Sequence, residues 1–254
     1  MKKLIMITLL VTSGLLAKDY ALIVGIANYQ KIGMLSHIES DIATYNKILK
    51  SRGVNKDRVT ILRDNQATRA EIKHYLADVV QKIKKSKDDN NRFFMFFSGH
   101  GVNTSDIKYG SKIQEDGLDN YLTNSGVILP YEFDENNIAK TIIIGKRDLR
   151  PYLIEIDKHI KNSLIVFDAC YSGDSIKGTK KRKSTPFVYS NPKDFPYKNI
   201  VYIAAATSKS KAKSGVLSNV LNDCLIQYTD LNQLRVCMNN RLMSVGQRAV
   251  VVSR

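Results

Sequence analysis

Residues 93–101 read FFMFFSGHG, and this stretch decides the fold. Five large apolar residues in succession predict a strand that is buried on both faces, as strands of a parallel sheet are. The strand runs directly into a short glycine-flanked turn that carries His100. Residues 163–173 have the same construction, because the apolar run SLIVF leads into DACYSG, which carries Cys170. Two buried strands therefore each end at a chemically reactive side chain.

Strand-like and helix-like segments alternate along the rest of the chain. Apolar runs predict strands at residues 20–27, 58–63, 93–97, 163–167, 201–206 and 248–252. Apolar residues at helical spacing predict helices that begin near residues 38, 69, 146, 217 and 230, the second of them behind the capping box Thr68-x-x-Glu71. This alternation predicts an α/β fold in which a central, mostly parallel six-stranded sheet has helices on both faces.

The composition excludes several classes of protein. With 254 residues and 43% hydrophobic residues the chain is an ordinary globular protein rather than a disordered one. Three cysteines are too few for a disulfide-rich scaffold, and no apolar run reaches the roughly 18 residues of a membrane-spanning helix. The net charge of +15 favours anionic partners in general, but its residues are scattered apart from residues 180–183, which indicates a solvated surface.

The first 17 residues have the pattern of a secretory signal peptide. Lys2 and Lys3 precede an apolar stretch that ends at Ala17, a small residue suited to cleavage. The alternative is that this stretch forms a first core strand. We expect residues 1–17 to be removed, residues 18–254 to form a single domain, and the mature protein to be periplasmic or secreted. Export argues against a nucleic-acid partner.

The two strand ends predict thiol chemistry. Sites in open α/β sheets form beyond the carboxyl ends of the strands, and neighbouring strands lie about 4.8 Å apart. An imidazole on one end can therefore take the proton of a thiol on the next, which a free cysteine needs in order to act as a nucleophile. The backbone N–H groups of Gly101 and Cys170 could stabilise an oxyanion. Taken singly, His100 could be a turn histidine and Cys170 an inert buried cysteine; the pair is the more specific signal.

The other two cysteines fall on predicted helices. Cys224 lies on a helical apolar stripe and Cys237 lies within the last helix, so both favour a structural role. A disulfide between them is possible in an exported protein, and it would leave Cys170 free.

The chain resembles the caspase-like cysteine peptidases, and most closely their bacterial metacaspase-type members. The resemblance rests on the turn around His100 (SGHG), the turn around Cys170 (DACYSG) and weaker matches along most of residues 18–254. It implies a caspase-like three-layer sandwich, in which His100 is the general acid/base and Cys170 the nucleophile. It implies hydrolysis of peptide bonds through an acyl-enzyme, with no cofactor required for that chemistry.

The resemblance also implies a preference for basic side chains. Animal caspases hold an aspartate in a cationic pocket, whereas metacaspases hold arginine or lysine in an acidic one. The matching positions here are Asp41, Ser98 and Asp168. A pair of carboxylates suits a guanidinium or ammonium group, so we expect protein or peptide substrates with Arg or Lys at the cleaved bond. The plainer interpretation of Asp41 is a carboxylate in the first turn of a helix.

Many metacaspases bind calcium through acidic residues around the sheet. Asp116, Asp119 and Asp134 are oxygen ligands of the right hardness, but the alternative, a solvated acidic loop, is slightly favoured. An aspartate that family calcium sites use shortly after the nucleophile has no match at the same offset here.

Residues 174–199 form a basic, proline-containing linker between two predicted strands. Many family members are cut in this region, and the linker holds residues that the proposed pocket accepts. We therefore predict self-cleavage after one of Lys177, Lys180, Lys181, Arg182 and Lys183. A flexible solubilising loop is the alternative.

Two other functions remain open at this stage. The first is a catalytically inactive binding or scaffold protein on the same fold, against which the intact His100 and Cys170 argue. The second is a surface protein that binds anions through its net charge, which would leave the two strand-end motifs without a purpose. The sequence does not indicate an oligomeric state.

Overall fold

A six-stranded sheet forms the centre of the protein. The structure is a computed structural model that describes residues 18–86, 90–102, 118, 121, 126–169, 197–205, 215–228, 230–247 and 249–253. In these residues the sheet contains strands β1 (Asp19–Gly25), β2 (Val59–Arg63), β3 (Arg92–Gly99), β7 (Asn162–Ala169), β8 (Ile200–Ala204) and β9 (Val250–Val252). Their spatial order is β2-β1-β3-β7-β8-β9. Neighbouring strands are parallel except for β8 and β9, so the predicted mostly parallel sheet is confirmed.

Helices cover both faces of the sheet. The longer ones are α1 (Ile38–Ser51), α2 (Arg69–Lys85), α4 (Arg150–His159), α5 (Val216–Gln227) and α6 (Leu231–Ser244). One apolar core joins α1, α5 and α6 to the sheet, and a second core joins α2 and α4 to its other face. The protein therefore has the predicted three layers.

The strand β3 shows how the apolar runs build these layers. Alternate side chains of a strand point to opposite faces. Phe93, Met95 and Phe97 accordingly lie in the core beneath α2 and α4, while Phe94 and Phe96 lie in the core beneath α1 and α5. A continuous apolar run is therefore what a strand covered on both sides requires.

The helix boundaries agree with the sequence in part. Thr68 caps α2, and its side chain accepts a hydrogen bond from the backbone N–H of Glu71, as the capping box predicts. The helix predicted to begin near residue 146 begins later. Residues Gly145–Leu149 form a π-helical turn, and regular α-helix starts at Arg150.

A small second sheet lies between β3 and α4, in a stretch where the apolar runs predict no strand. It consists of β4 (Gly101–Val102), β5 (Val127–Ile128) and β6 (Ile143–Ile144), which pair in antiparallel fashion. The short helix α3 (Ile138–Thr141) precedes β6. Strands of two residues are too short to show an alternating pattern, which is why the sequence does not reveal them.

Cys224 and Cys237 form a disulfide between α5 and α6, with their sulfur atoms 2.03 Å apart.

The end of the expected linker belongs to the packed domain, because Tyr197 is buried and the backbone N–H groups of Lys198 and Asn199 donate to Asp157. The predicted signal peptide and cleavage sites lie outside the described residues. Within those residues, no helix is long and apolar enough to cross a bilayer.

Candidate active site

The sheet brings the two strand-end motifs next to each other. The strands β3 and β7 are parallel neighbours, in which Ser98 pairs with Asp168 and Gly99 pairs with Ala169. His100 is the next residue after this paired region on one strand. Cys170 is the next residue on the other, although it lies outside the described residues. The register thus delivers both motifs to the same edge of the sheet.

His100 is held by the loop that follows β1. Its backbone N–H donates a hydrogen bond of 2.6 Å to the Tyr29 hydroxyl, and its Nε2 lies 2.9 Å from the carbonyl oxygen of Gly33. A carbonyl oxygen can only accept, so Nε2 carries the proton in this contact. In the neutral ring Nδ1 is then the atom with a free lone pair. The loop thereby selects the tautomer that can receive a proton at Nδ1.

Gly99 makes the close approach of Tyr29 possible. A Cβ atom at this position would lie 2.5 Å from the Tyr29 hydroxyl oxygen, which no side chain could tolerate without movement. The Tyr29 ring also packs against the His100 imidazole, with 4.9 Å between the ring centroids. The first glycine of SGHG therefore provides space for the tyrosine that supports the histidine.

A buried pair of carboxylates lies beside the histidine. Asp41 is inaccessible to solvent, and each of its oxygens accepts a hydrogen bond from a serine: Ser98 at 2.6 Å and Ser218 at 2.5 Å. Asp168 is also buried, and its neighbours are uncharged donors: the Ser218 backbone N–H and the Tyr45 hydroxyl lie close to its carboxyl group, but no described donor makes a well-formed hydrogen bond to Oδ2. Burial and the neighbouring Asp41 carboxylate raise the pKa of Asp168 well above its usual value.

No strong cation neutralises these carboxylates from within the described part of the chain. The basic group nearest to Asp41 is the His37 imidazole, whose Nε2 lies 3.6 Å from Oδ2. Burial lowers the pKa of His37, so its ring is largely neutral near pH 7. Neither aspartate forms a salt bridge with a described lysine or arginine. Both carboxyl groups are therefore buried without a lysine or arginine partner from the described residues.

A family model for the caspase domain matches residues 18–250. The chain belongs to the caspase-domain family. The family expected from the sequence is thereby confirmed, and the strand-end histidine, together with the motif that contains Cys170, lies in the matched region.

Curated relatives agree with this assignment. The caspase domain is 26% identical to metacaspase-1 of Candida albicans over 193 residues, which is 73% of this chain and 38% of that protein. It is 27% identical to metacaspase-1B of Aspergillus fumigatus over 179 residues, which is 67% of this chain and 37% of that protein. The chain thus spans well under half the length of these relatives.

The fold is similar to that of caspase-1 from Spodoptera frugiperda. The TM-score is 0.60 at 14% sequence identity, and the match covers 93% of this chain and 86% of that one. At this level of identity the likeness concerns the fold alone. It confirms the predicted caspase-like sandwich.

The structure places the predicted catalytic histidine and the predicted pocket residues of this caspase domain together. Ser98 and His100 lie at the carboxyl end of β3 and Asp168 at that of β7, while Asp41, in the first turn of α1, contacts Ser98. Gly101 follows directly as the first residue of β4, where it is buried and pairs with Ile128. Whether its N–H faces a reacting oxygen stays a prediction.

The predicted calcium ligands are not brought together in the described residues. Asp116 and Asp119 lie outside those residues. Asp134 is engaged elsewhere, because its Oδ2 lies 2.6 Å from Lys31 Nζ and its Oδ1 accepts from the backbone N–H of Asn136. Among the described residues no cluster of acidic, histidine or cysteine side chains could hold a metal ion. Calcium binding stays a prediction.

Three contributors to the site are absent from the sequence-based prediction. The Gly33 carbonyl has no sequence signature, because every residue has a carbonyl group. The Tyr29 hydroxyl reaches His100 through a loop whose path the sequence does not specify. Ser218 lies in the first turn of α5, a helix that the sequence predicts, but its contact with Asp41 depends on how α5 packs against α1.

Proposed function

We propose that this caspase domain is a cysteine endopeptidase with Cys170 as nucleophile and His100 as general acid/base. The observation that carries the proposal is the position of His100. It lies one residue beyond the register that pairs β3 with β7, and the Gly33 carbonyl holds its Nε2 so that Nδ1 can accept a proton. The strand β7 leads directly into Cys170.

The reaction follows the ordinary course of thiol catalysis. Nδ1 of His100 takes the proton of the Cys170 thiol, and the thiolate attacks the carbonyl carbon of the peptide bond. The imidazolium then gives its proton to the departing amine, which leaves an acyl-enzyme, and the neutral imidazole activates the water that hydrolyses it. The N–H groups of Gly101 and Cys170 are proposed oxyanion donors, and such donors contribute about 3 kcal/mol each.

The proposed substrates carry Arg or Lys on the acyl side of the cleaved bond. What supports this preference is the buried pair of Asp41 and Asp168, which has no cationic partner among the described lysines and arginines. A basic side chain would favour the ionised form of Asp168 and could bind both carboxyl groups by charge-assisted hydrogen bonds. Ser98 and Ser218 orient Asp41 for this contact.

We also propose that the protein is exported and processes itself. The signal-like segment at residues 1–17 supports export, and so does the Cys224–Cys237 disulfide, since such bonds persist in oxidising compartments. The proposed cleavage sites are the basic residues of the linker, which match the proposed pocket.

Turnover of fluorogenic peptides tests the activity. The purified protein should hydrolyse peptides that end in Arg or Lys before the fluorophore, and Cys170→Ala should abolish this turnover. Cys237→Ala together with Cys224→Ala serves as the control for loss of cysteines in general, because those residues form the disulfide away from the site.

Mass spectrometry of the same samples, with and without calcium, tests self-processing. Cuts after one or more of the five linker residues should appear in the wild-type protein and be absent from Cys170→Ala. Hydrolysis that persists in Cys170→Ala would contradict the assignment of the nucleophile, and hydrolysis after acidic or neutral residues alone would contradict the assignment of the pocket.

A further inference from the structure

Asp64 occupies an unusual position directly after β2. Its φ angle is +41°, and among the described residues it is the only one other than glycine with a positive φ. This left-handed backbone conformation is unfavourable for residues that carry a side chain, and aspartate is one of the few types that adopts it. Since β2 pairs with β1 in parallel, this turn lies at the carboxyl end of the sheet, where the proposed active site is.

The Asp64 carboxylate binds the start of the loop that holds His100. Its Oδ1 accepts hydrogen bonds from the backbone N–H groups of Ala27 at 2.7 Å and Asn28 at 2.9 Å. Its Oδ2 accepts a third, from the Asn28 side-chain amide at 3.0 Å. These bonds lower the pKa of Asp64 despite its partial burial, so the group is ionised near pH 7. One side chain thereby fixes two successive residues of the loop.

The residues that follow in this loop are the ones that contact the histidine. Tyr29 comes directly after Asn28, and its hydroxyl accepts the His100 N–H; Gly33 lies four residues further and its carbonyl accepts from Nε2. The loop is also attached at its middle, where the N–H of Gln30 donates to the carbonyl of Tyr131. Backbone bonds hold the loop as well, because the N–H of Ile26 donates to the carbonyl of Ser98 and the N–H of Leu35 to that of Ala27. Asp64 is the side chain that holds the N–H groups of Ala27 and Asn28, so its loss would free the two residues that lead into Tyr29.

We propose that Asp64 is a positioning residue that keeps the loop after β1 against His100 and thereby fixes the tautomer and orientation of the imidazole. It acts through Tyr29 and Gly33 and does not contact the substrate. This inference rests on the proposed cysteine peptidase function. A displacement of a catalytic group by about 1 Å can lower a rate by as much as ~100-fold, so a side chain outside the reaction can have a large effect.

Asp64→Gly separates this role from a contribution to folding. Glycine adopts a positive φ without strain, so the turn is retained while all three hydrogen bonds are lost. We expect kcat for a basic peptide to fall by about 10- to 100-fold with KM changed by no more than about twofold, since the carboxylate pocket is held by other residues. Asp64→Asn keeps the Oδ1 acceptor and tolerates the same backbone, and it should recover most of the lost rate.

The rate at which iodoacetamide alkylates Cys170 provides a readout independent of turnover. The other two cysteines are joined in a disulfide, so Cys170 is the free thiol of the chain. Its alkylation near pH 7 should slow in Asp64→Gly, because a misplaced imidazole no longer takes the thiol proton. Asn55→Gly is the matched control, since Asn55 caps a similar short turn at the opposite end of β2 and its loss should leave both rates unchanged.

Two results would overturn the proposed role of Asp64. Wild-type kcat and alkylation rates in a folded Asp64→Gly protein would overturn it, as would Asp64→Asn rates no higher than those of the glycine variant. Should Asp64→Gly not fold, Asn28→Ala, which removes the Oδ2 contact, must lower the alkylation rate by at least about twofold. Absence of Cys170-dependent turnover in the wild-type protein would instead refute the peptidase function, while the alkylation rates would still test Asp64.

Discussion

Two buried aspartates, Asp148 and Asp168, occupy opposite electrostatic surroundings. They are equally inaccessible, with exposed fractions of 1% and 3%. Asp148 accepts hydrogen bonds from Arg69 and Arg147, each at 2.7 Å. Asp168 has a neighbouring carboxylate, Asp41, instead of a cation, and the donors beside it, the Ser218 backbone N–H and the Tyr45 hydroxyl, are uncharged.

The pKa values of the two carboxyl groups diverge accordingly. Burial alone would raise the pKa of Asp148, but the hydrogen bonds and charge of Arg147 and the other donors lower it below the usual value. Burial and Asp41 raise the pKa of Asp168. The difference shows that burial by itself does not identify a functional acid. A buried acid with its cation inside the chain stabilises the fold, and one without such a cation is available to a ligand.

The largest expected effect follows the loss of the Asp148 carboxylate, which binds Arg69 and Arg147. Asp148→Asn leaves the Arg69 and Arg147 guanidinium groups without their carboxylate, so the free energy of unfolding should fall by about 3 kcal/mol. Urea denaturation followed by circular dichroism measures this. Glu39→Gln is the control, because its pairing with Arg63 is exposed and should contribute under ~1 kcal/mol. If the free energy of unfolding fell equally in Asp148→Asn and Glu39→Gln, the buried contacts of Asp148 would contribute no more than an exposed ion pair.

The corresponding change in the pocket should affect activity rather than folding. Asp168→Asn removes one acid of a repelling pair, so the free energy of unfolding should stay the same or rise. The value of kcat/KM for peptides with Arg or Lys should fall by about 100-fold, because a buried partner of the substrate cation is lost. Undiminished kcat/KM for basic peptides would contradict the pocket assignment.

The smallest expected effect is on how the stability of the protein changes with pH. The folded protein holds the Asp168 proton more tightly than the unfolded chain does, so the stability associated with that proton is lost as the pH rises through the raised pKa. The advantage in stability of Asp168→Asn over the wild-type protein should therefore grow as the pH rises from about 4.

Asp148 should behave in the opposite way. Because its pKa is lowered in the folded protein, its contribution to the free energy of unfolding should disappear as the pH falls below about 4. Urea denaturation across this range would measure both slopes. For each variant the relevant slope is that of its free energy of unfolding, relative to the wild-type protein, against pH. Slopes of the same sign for Asp148→Asn and Asp168→Asn would contradict the contrast between the aspartates.

The sequence predicts the parts of this protein that side chains encode. Apolar runs such as residues 93–97 predict buried strands, because each side chain has a core to enter. The motifs around His100 and Asp168 follow those strands directly, so their meeting at one edge of the sheet follows from the parallel topology.

What the sequence does not predict is made by backbone groups and by packing between distant segments. The Gly33 carbonyl supports His100 without any side chain. Ser218 contacts Asp41 across 177 residues of sequence, which depends on how α5 lies against α1. The positive φ of Asp64 has no pattern of its own, because aspartate is equally common in ordinary turns.

The disulfide between α5 and α6 has a consequence for how the chain must oxidise. Three cysteines allow three alternative bonds, and two of these would consume the proposed nucleophile. The native partners are 13 residues apart, whereas Cys170 is several times further along the chain from either, so closing the shorter loop is favoured by about 1 kcal/mol of chain entropy. Early closure of the helical hairpin would remove both competing thiols and leave the reactive sulfur in its reduced form.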